Sequence, residues 1–174
     1  AGVYLSLLKG GQHSCPSAQQ RGLLGSSRMD SQQFITCLVK YQPKALVVTP
    51  ALAEVIVNAC LKGALSPELF QFIAVGGSRT PRRVLEIAQS IGLPLYEGYG
   101  LSECGSVVSL NTQLHCKLGS VGKLLPHIEC RAVAGELQCR GNTSPSYWLG
   151  EEKHQALRTE KSWCPTGDLG YVDN

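Results

Sequence analysis

Long apolar runs and secretion signals are missing from this sequence. The longest apolar stretch, "ALVVTPALAEVIV" from Ala45, is interrupted by Thr49, Pro50 and Glu54 well short of the length that spans a membrane. The opening "AGVYLSLLKGG" has neither the basic start nor the cleavage pattern of a signal peptide. The sequence therefore predicts no membrane span and no secretory leader.

An excess of charge of one sign is also lacking. Sixteen Lys and Arg residues stand against thirteen Asp and Glu residues, a formal net charge of +3. The basic residues are scattered apart from pairs such as Arg82–Arg83, whereas a nucleic-acid surface needs them clustered. We therefore expect no nucleic-acid partner. With 174 residues, 43% of them hydrophobic, the chain is long enough to bury a proper core.

No C-x-x-C pair occurs among the eight cysteines, so the usual spacing of a zinc site is absent. Cys37 in "FITCLVKY" and Cys60 in "VIVNACLK" lie among apolar residues, where a thiol behaves as a small hydrophobe. We expect reduced, mostly buried cysteines, as in a cytoplasmic protein.

Strand and helix patterns alternate in the first half of the chain. "DSQQFITCLVKY" has the apolar spacing of a helix with a cap at Asp30, "KALVVTP" is typical of a buried strand, and a second helix follows up to Gly63. "FQFIAV" predicts the next strand, Thr80 and Pro81 the cap and first turn of a third helix, and "LPLYEGYG" a third strand. This alternation predicts an α/β fold, a parallel sheet with flanking helices that is buried on both faces.

The second half has a different texture and predicts a β-rich, small barrel-like segment. "GSVGKLL", "HIECRAV", "GELQCRG" and "DLGYV" are short and separated by Gly or Pro, and only "EEKHQALR" has a helical period. We divide the chain into an α/β subdomain at 1–112, loop-rich over 1–30, and a β-rich subdomain at 113–174. Because Ala1 is not Met and "TGDLGYVDN" stops inside a predicted strand and turn, we expect a piece of a longer protein, truncated at its C-terminal end.

The stretch "EGYGLSECG" combines groups that suit a nucleotide. Gly98 and Gly100 allow positive φ or close approach of a flat ligand to the backbone, and Tyr99 can lay its ring on a base. Ser102 offers a hydroxyl to a phosphate, and Glu103 offers hard oxygens to Mg²⁺. From these residues alone, a glycine-rich turn with a solvated glutamate remains the simpler interpretation.

Two other stretches add related chemistry. The turn Gly76-Gly77-Ser78 exposes backbone N–H and C=O groups that can read the edge of a purine, although it lacks the glycine spacing of known phosphate-binding motifs. Asp168 in "PTGDLGY" offers two oxygens to the vicinal hydroxyls of a ribose. Taken singly, a tight turn and a capping Asp remain the simpler alternatives.

Together these stretches resemble the adenylate-forming superfamily, which contains acyl-CoA synthetases, luciferases and the adenylation domains of peptide synthetases. "VGGSRTP", "YEGYGLSECGSVVSLN", "GSVGKLLP", "GELQCRG" and "WCPTGDLGYVDN" occur in that family's order and approximate spacing. The resemblance covers roughly residues 30 to 174. It implies the acyl-CoA synthetase-like N-terminal domain, of which this chain would be a central fragment.

The resemblance implies roles for the nucleotide-binding residues. The turn at residues 76–78 would contact adenine through its backbone, and Tyr99 would stack on the base beside its two glycine neighbours. Asp168 would bind the ribose hydroxyls. Ser102, which stands where the family usually has Thr, would meet the phosphate, and Glu103 would bind Mg²⁺; these two are the catalytic candidates. The candidates for the acyl pocket are Val75, Gly98, Cys104 and Gly105.

The implied reaction is activation of a carboxylate by ATP as an acyl-adenylate, followed by attack of the coenzyme A thiol. We lean towards a fatty acid, because no acidic residue near the predicted pocket could hold an amino group. The family's phosphate loop, ribose-contacting Arg and catalytic Lys are not found, so the fragment alone is expected to be inactive. The alternatives are a peptide-synthetase adenylation domain and a non-catalytic nucleotide-binding module. ATP or AMP, Mg²⁺, coenzyme A and the acid are the expected ligands, and a homodimer is left open.

Overall fold

We describe the protein from a computed structural model, which describes residues 8, 10–23, 29–141 and 163–173. Its elements run in the order α1 (Ser31–Tyr41), β1 (Ala45–Val48), α2 (Pro50–Leu61), β2 (Phe72–Val75), α3 (Arg82–Ser90), β3 (Leu95–Tyr99), β4 (Ser109–Leu110), β5 (Lys123–Leu124), β6 (Ile128–Val133), β7 (Glu136–Gly141) and β8 (Cys164–Leu169). Two 3₁₀ turns lie at Pro67–Leu69 and Ser102–Cys104. The predicted helix "EEKHQALR" lies outside the described residues.

Local sequence signals explain the first helix. The Asp30 carboxylate accepts a hydrogen bond from the Gln33 N–H at 3.0 Å, which satisfies one of the free amides at the start of α1. Phe34 and Leu38, four residues apart, lie on one face of α1 and are buried in the core. Helix α1 is therefore amphipathic and packs its apolar face on the core, as its spacing predicts.

The larger sheet has five strands in the order β1-β2-β3-β4-β5. Strands β1 to β3 are parallel, with Val48 opposite Val75 and Val75 opposite Glu97, whereas β4 and β5 are added antiparallel. This mixed sheet with its helices confirms the predicted α/β class. The division proposed at residue 112 stays a prediction; the sheet itself continues past that residue through β5.

Burial of the sheet on both faces is a wrong prediction for the described residues. Val48, Ile73 and Val75 point towards α1, α2 and α3 and are almost fully buried. On the other face Val47 is 85% exposed, and Phe72 and Tyr96 stack on each other at the surface with ring centroids 5.3 Å apart. All three described helices pack on one side, so the second face has no layer of its own in this part of the chain.

The smaller sheet is a three-stranded antiparallel sheet, β6-β7-β8, which confirms the β-rich second half. The predicted strand in "DLGYV" begins earlier than expected, since β8 runs from Cys164 to Leu169 and residues 170–173 are irregular. A second, smaller core of Cys104, Val108, Ile128, Cys139 and Cys164 lies under this sheet. Six of the eight cysteines are buried or half-buried, and Cys15 and Cys116 are exposed.

The predicted cap of the third helix is also wrong. Pro81, not Thr80, occupies the N-cap position of α3, and no side chain caps that helix. Thr80 is instead buried, and its hydroxyl has no hydrogen-bond partner among the described residues. None of the described helices is both long and apolar enough to cross a bilayer.

Candidate functional site

The loop that follows β2 lies against the end of β3. Gly76 donates its N–H to the Val48 carbonyl at 3.2 Å, and its Cα faces the Gly98 carbonyl so closely that a Cβ there would lie 3.3 Å from that oxygen. Gly77 has a φ of +87°, the left-handed region that suits glycine, and Gly77 and Ser78 are exposed. The predicted adenine-binding turn is thus an accessible loop at the carboxyl end of the parallel strands, where such sheets bind ligands.

Glu97 links the loop after β2 to β3 by a hydrogen bond. Its carboxylate oxygen Oε1 accepts the backbone N–H of Thr80 at 2.8 Å, and the Glu97 side chain is buried. A backbone N–H left without an acceptor inside the protein would cost free energy, so this hydrogen bond stabilises the loop. Glu97 was not among the predicted site residues, although it belongs to the same "EGYGLSECG" stretch; a charged residue inside an apolar strand is the signal that marks it.

Tyr99 and Asp168 meet across the two sheets. The Tyr99 hydroxyl at the end of β3 donates a hydrogen bond to Asp168 Oδ2 at 2.6 Å, although the residues are 69 positions apart. Burial first, and then this hydrogen bond, raise the pKa of Tyr99 above its ordinary value. The predicted adenine-stacking and ribose-binding side chains are therefore neighbours.

A bulge in β8 presents Asp168. Between the pairs Glu136–Leu169 and Gln138–Pro165, β8 has two residues more than β7, and Gly167 there has a φ of +77°. The Gly167 N–H donates to Glu136 Oε1 at 2.9 Å. Asp168 lies in this bulge and is exposed, so a ligand can reach it.

Thr166 supports the same bulge. Its hydroxyl donates to the Leu137 carbonyl at 2.8 Å and accepts the Asp168 N–H at 3.1 Å. The "PTGD" sequence thus supplies a hydroxyl, a positive-φ glycine and a carboxylate in consecutive positions. Thr166 and Glu136 were missed from sequence, because their contacts depend on the pairing of β7 with β8.

The 3₁₀ turn Ser102–Cys104 carries the predicted phosphate and magnesium residues. Ser102 is exposed and Glu103 is half-buried, while Cys104 is buried and anchors the turn on the second core. The Cys104 and Ser106 N–H groups both donate to the Leu101 carbonyl, at 3.0 and 3.1 Å. The turn therefore leaves the polar side chains outside and fixes the thiol inside.

Glu103 is a partial fit to a magnesium site. No group of three or more His, Cys, Asp or Glu side chains in the described ranges is arranged to hold a metal ion. Mg²⁺ commonly takes one or two carboxylates and completes its shell with substrate phosphates and water, so a single accessible carboxylate suits it. The role of Glu103 remains a prediction.

The residues predicted to line the acyl pocket differ in their exposure. Gly98 is half-buried near the end of β3 and Gly105 is exposed, but Val75 is 1% exposed in the main core and Cys104 is 3% exposed in the second. Burial beside Cys164 raises the pKa of Cys104 to about 11, so it stays a thiol at neutral pH and is no ready nucleophile. Packing accounts for both buried side chains, and a pocket role for them remains a prediction.

The glycines beside Tyr99 have a structural reason that sequence reasoning did not anticipate. Neither has positive φ; a Cβ on Gly100 would overlap the Ser106 carbonyl, and one on Gly98 would lie 2.8 Å from Leu110 Cδ1. The returning chain therefore leaves no room for a Cβ at Gly100, whereas at Gly98 the Leu110 side chain would have to shift. The predicted close approach of a ligand to these glycines stays a prediction; the groups that lie against them in the fold belong to residues 106–110 of the same chain.

Asn111 is a further residue that the sequence did not single out. It is buried, and its Nδ2 donates to the carbonyls of Glu97 at 2.9 Å and Ser120 at 2.7 Å, while its Oδ1 accepts the Lys117 N–H at 2.9 Å. Asn111 thus ties the loop at 112–120 to the end of β3. The three described histidines, His13, His115 and His127, are exposed and outside this network.

Parallel strands with convergent polar loops at their carboxyl ends are typical of α/β folds that bind ligands at that edge. Comparison with known proteins identifies the family. The family of AMP-binding enzymes matches residues 1–145 of the chain, and the chain belongs to that family. The resemblance to adenylate-forming enzymes is thereby confirmed.

Two related proteins are CoA ligases by name. The chain is 34% identical to 2-succinylbenzoate–CoA ligase of Bacillus subtilis over 121 residues, 62% of this chain and 25% of that enzyme. It is 40% identical to long-chain-fatty-acid–CoA ligase FadD15 of Mycobacterium bovis over 100 residues, 56% of this chain and 16% of that enzyme. The matched region thus spans about a quarter or less of the length of these two relatives.

Solved structures agree on the fold. The O-succinylbenzoate coenzyme A synthetase of Bacillus subtilis in complex with AMP superimposes with a TM-score of 0.73 at 20% identity, over 99% of this chain and 36% of that one. The anthranilate CoA ligase AuaEII with anthranoyl-AMP gives a TM-score of 0.70 at 17% identity, over 82% of this chain and 30% of that one. The fold class predicted from sequence is therefore confirmed.

Proposed function

We propose that this chain forms the adenine and ribose side of the active site of an AMP-forming acid–thiol ligase. The hydrogen bond between Tyr99 and Asp168 is the observation that carries the proposal, because it joins two of the predicted nucleotide-binding stretches at one place. The third stretch, at Gly76–Ser78, packs beside Gly98 on the same strand end. Membership of the AMP-binding family and the CoA ligase relatives support the same assignment.

Each residue has a stated task in this proposal. The backbone of residues 76–78 reads the adenine edge, the Tyr99 ring stacks on the base, and Asp168 accepts the ribose hydroxyls. Ser102 donates its hydroxyl to the α-phosphate as the substrate carboxylate attacks the phosphorus and pyrophosphate leaves. Mg²⁺ bound at Glu103 would neutralise phosphate charge. Catalysis then rests on alignment and charge stabilisation and needs no protein nucleophile.

We also propose the thiol that accepts the acyl group and the class of the carboxylic acid substrate. Coenzyme A is favoured as the thiol because both kinds of curated relative carry CoA ligase in their names. Those names cover 2-succinylbenzoate and long-chain fatty acids, so an aromatic carboxylic acid stands beside the fatty acid favoured by the sequence. Pyrophosphate exchange by the complete enzyme, measured with a fatty acid, an aromatic carboxylic acid and amino acids, would identify the substrate class. Exchange with amino acids alone would exclude the fatty acid and the aromatic acid. A cytoplasmic location and a homodimer stay predictions.

Calorimetry with AMP tests the site in this chain. We expect AMP to bind and Asp168→Ala to weaken binding at least about tenfold, because a ribose hydroxyl then loses a charged acceptor. Asp173→Ala is the matched control: it removes another exposed carboxylate five residues away, one that pairs with Lys117. Circular dichroism confirms folding of each variant. A folded chain that does not bind AMP, or equal weakening by the two variants, would contradict the proposal.

A further inference from the structure

Four cysteines from four separate segments meet in the second core. Cys130, Cys139 and Cys164 lie side by side on β6, β7 and β8, at paired positions of the sheet. Cys104 of the 3₁₀ turn packs beneath them, within hydrogen-bonding reach of the Cys139 and Cys164 thiols. Such a concentration of thiols sets this core apart from the aliphatic core under the larger sheet.

Cys130 and Cys139 are the closest match to a disulfide. They are directly opposite each other in the β6–β7 hairpin, and their Sγ atoms are 3.6 Å apart. Ala134 and Gly135 both have positive φ, as in a two-residue type I′ turn, so Val133 and Glu136 close the hairpin as a hydrogen-bonded pair. Counting outward, Cys130–Cys139 is a non-hydrogen-bonded pair, whose Cα atoms lie about 4.5 Å apart. That spacing falls within the range that disulfides bridge.

Access distinguishes this pair from the other cysteines of the cluster. Cys130 is half-buried, so a small oxidant can reach its sulfur, whereas Cys104, Cys139 and Cys164 are at most 3% exposed. The Cys164 sulfur is turned towards the Pro165 carbonyl at 3.5 Å, and the β7–β8 pairing beside it is irregular. Burial and the hydrogen bond to Cys130 raise the pKa of Cys139, which keeps it protonated and donating to Cys130. Cys130 is therefore the sulfur that meets the oxidant first.

We propose that Cys130 and Cys139 are an oxidation site that forms a reversible intrachain disulfide when the protein meets a peroxide. The Cys130 sulfur gives up its proton and attacks one peroxide oxygen, the O–O bond breaks, the leaving hydroxide takes up a proton as water, and Cys130 becomes a sulfenic acid. The Cys139 sulfur then attacks the Cys130 sulfur, the S–O bond breaks, and the departing hydroxyl takes the Cys139 proton as water. The two thiols together lose two electrons, which the peroxide accepts, and one S–S bond forms.

The Cys130–Cys139 pair lies next to the turn that carries Ser102 and Glu103. Cys139 contacts Cys104, and Cys104 directly follows Ser102 and Glu103 in the turn described above. A bond to Cys130 redirects the Cys139 sulfur, so oxidation changes the packing beneath that turn. The proposal itself concerns only the covalent bond and stands whether or not the chain binds AMP.

Peptide mapping tests the site in the full chain. Exposed Cys15 and Cys116 are first replaced by Ser to prevent links between molecules. The reduced protein is treated with hydrogen peroxide, remaining thiols are alkylated, and trypsin separates "LLPHIECR" from "AVAGELQCR", which hold Cys130 and Cys139. We expect a linked pair of these two peptides, a loss of two hydrogen atoms from the intact mass, and full reversal by dithiothreitol.

Two variants complete the test. Cys130→Ser, at a half-buried position that tolerates a hydroxyl, abolishes the linked peptides, whereas Cys60→Ser, at a half-buried thiol in the other core, leaves them unchanged. A disulfide that maps to another pair, or alkylation of Cys130 and Cys139 after peroxide treatment, would overturn the proposal. So would the same loss of mass in the Cys130→Ser protein.

Discussion

The Tyr99 side chain joins the two sheets. Its phenol is half-buried and donates to the carboxylate of Asp168 at 2.6 Å. A phenolate at this position would lose its donor and face a negative charge, so the folded protein holds the proton more tightly than the unfolded chain does. The protonation of Tyr99 is thereby linked to stability.

Stability should consequently fall in alkaline solution through Tyr99. Because its pKa is raised on folding, the contribution is fully present below the unfolded value of about 10 and is lost as the pH rises towards the folded value. Tyr99→Phe, which removes the hydrogen bond, should cost about 1 kcal/mol at pH 8. The free energy of unfolding in urea, measured from pH 8 to pH 11 on both proteins, checks this.

The difference between wild type and Tyr99→Phe should narrow with increasing pH. Buried thiols such as Cys104 also titrate in this range, but they are common to both proteins and cancel in the difference. A difference that stays constant or widens up to pH 11 would show that Tyr99 is not linked to stability in this way.

The residues with local roles could be predicted from sequence, and those with distant partners could not. The positions of Gly98, Gly100 and Asp168 at strand ends and turns follow from short patterns, and the structure places them there. The Ser106 carbonyl that leaves no room for a Cβ on Gly100 belongs to the segment that leads back to β4, and no local sequence pattern predicts this contact. The same holds for Glu97, whose partner is 17 residues earlier.

At the scale of elements, Glu97 couples β3 to the loop between β2 and α3. The Thr80 N–H has no helical partner, because it lies before α3, and the Glu97 carboxylate supplies one inside the core. Thr80 does not cap the helix; its amide is bonded to Glu97 on β3 and its side chain is buried. The helix begins one residue later than the cap pattern predicts, with Pro81 at the N-cap.

Removing this tie should destabilise the protein measurably. Glu97→Ala leaves a buried N–H without an acceptor and should cost about 1–3 kcal/mol, whereas Glu97→Gln keeps a carbonyl oxygen for Thr80 and should cost less. Urea unfolding gives these values, and faster amide hydrogen exchange at Thr80 in the Ala variant would localise the effect.

Glu86→Ala serves as the matched control for this series. Glu86 is an exposed glutamate on α3 that pairs with Arg82, and its loss should change stability by less than about 0.5 kcal/mol. If Glu97→Ala is no more costly than Glu86→Ala, the carboxylate does not hold the loop in the way described.

At the scale of the whole molecule, the class of fold followed from the alternation of strand and helix patterns along the chain, but the covering of the sheet by helices on one face only did not. Apolar runs such as "ALVV" predict burial on both sides, because a run without alternation suits a fully covered strand. Whether the second face of the sheet is covered depends on other segments of the protein, and the sequence of a strand does not reveal them. The match spans 25% of the length of a related ligase, so much of the relative has no counterpart in this chain.

Val47 and Val48 are adjacent in β1 and offer a matched test of this one-sided burial. Val48 is 6% exposed and packs on the helices, whereas Val47 is 85% exposed on the opposite face. Val48→Ala should cost about 2 kcal/mol, because two buried methyl groups are lost and a small cavity remains. Val47→Ala makes the same chemical change in the same strand and should cost less than about 1 kcal/mol, the span of strand propensity. Urea unfolding of the two variants of this chain measures the difference. Equal losses would mean that the second face is also packed, and the one-layer description would then be wrong.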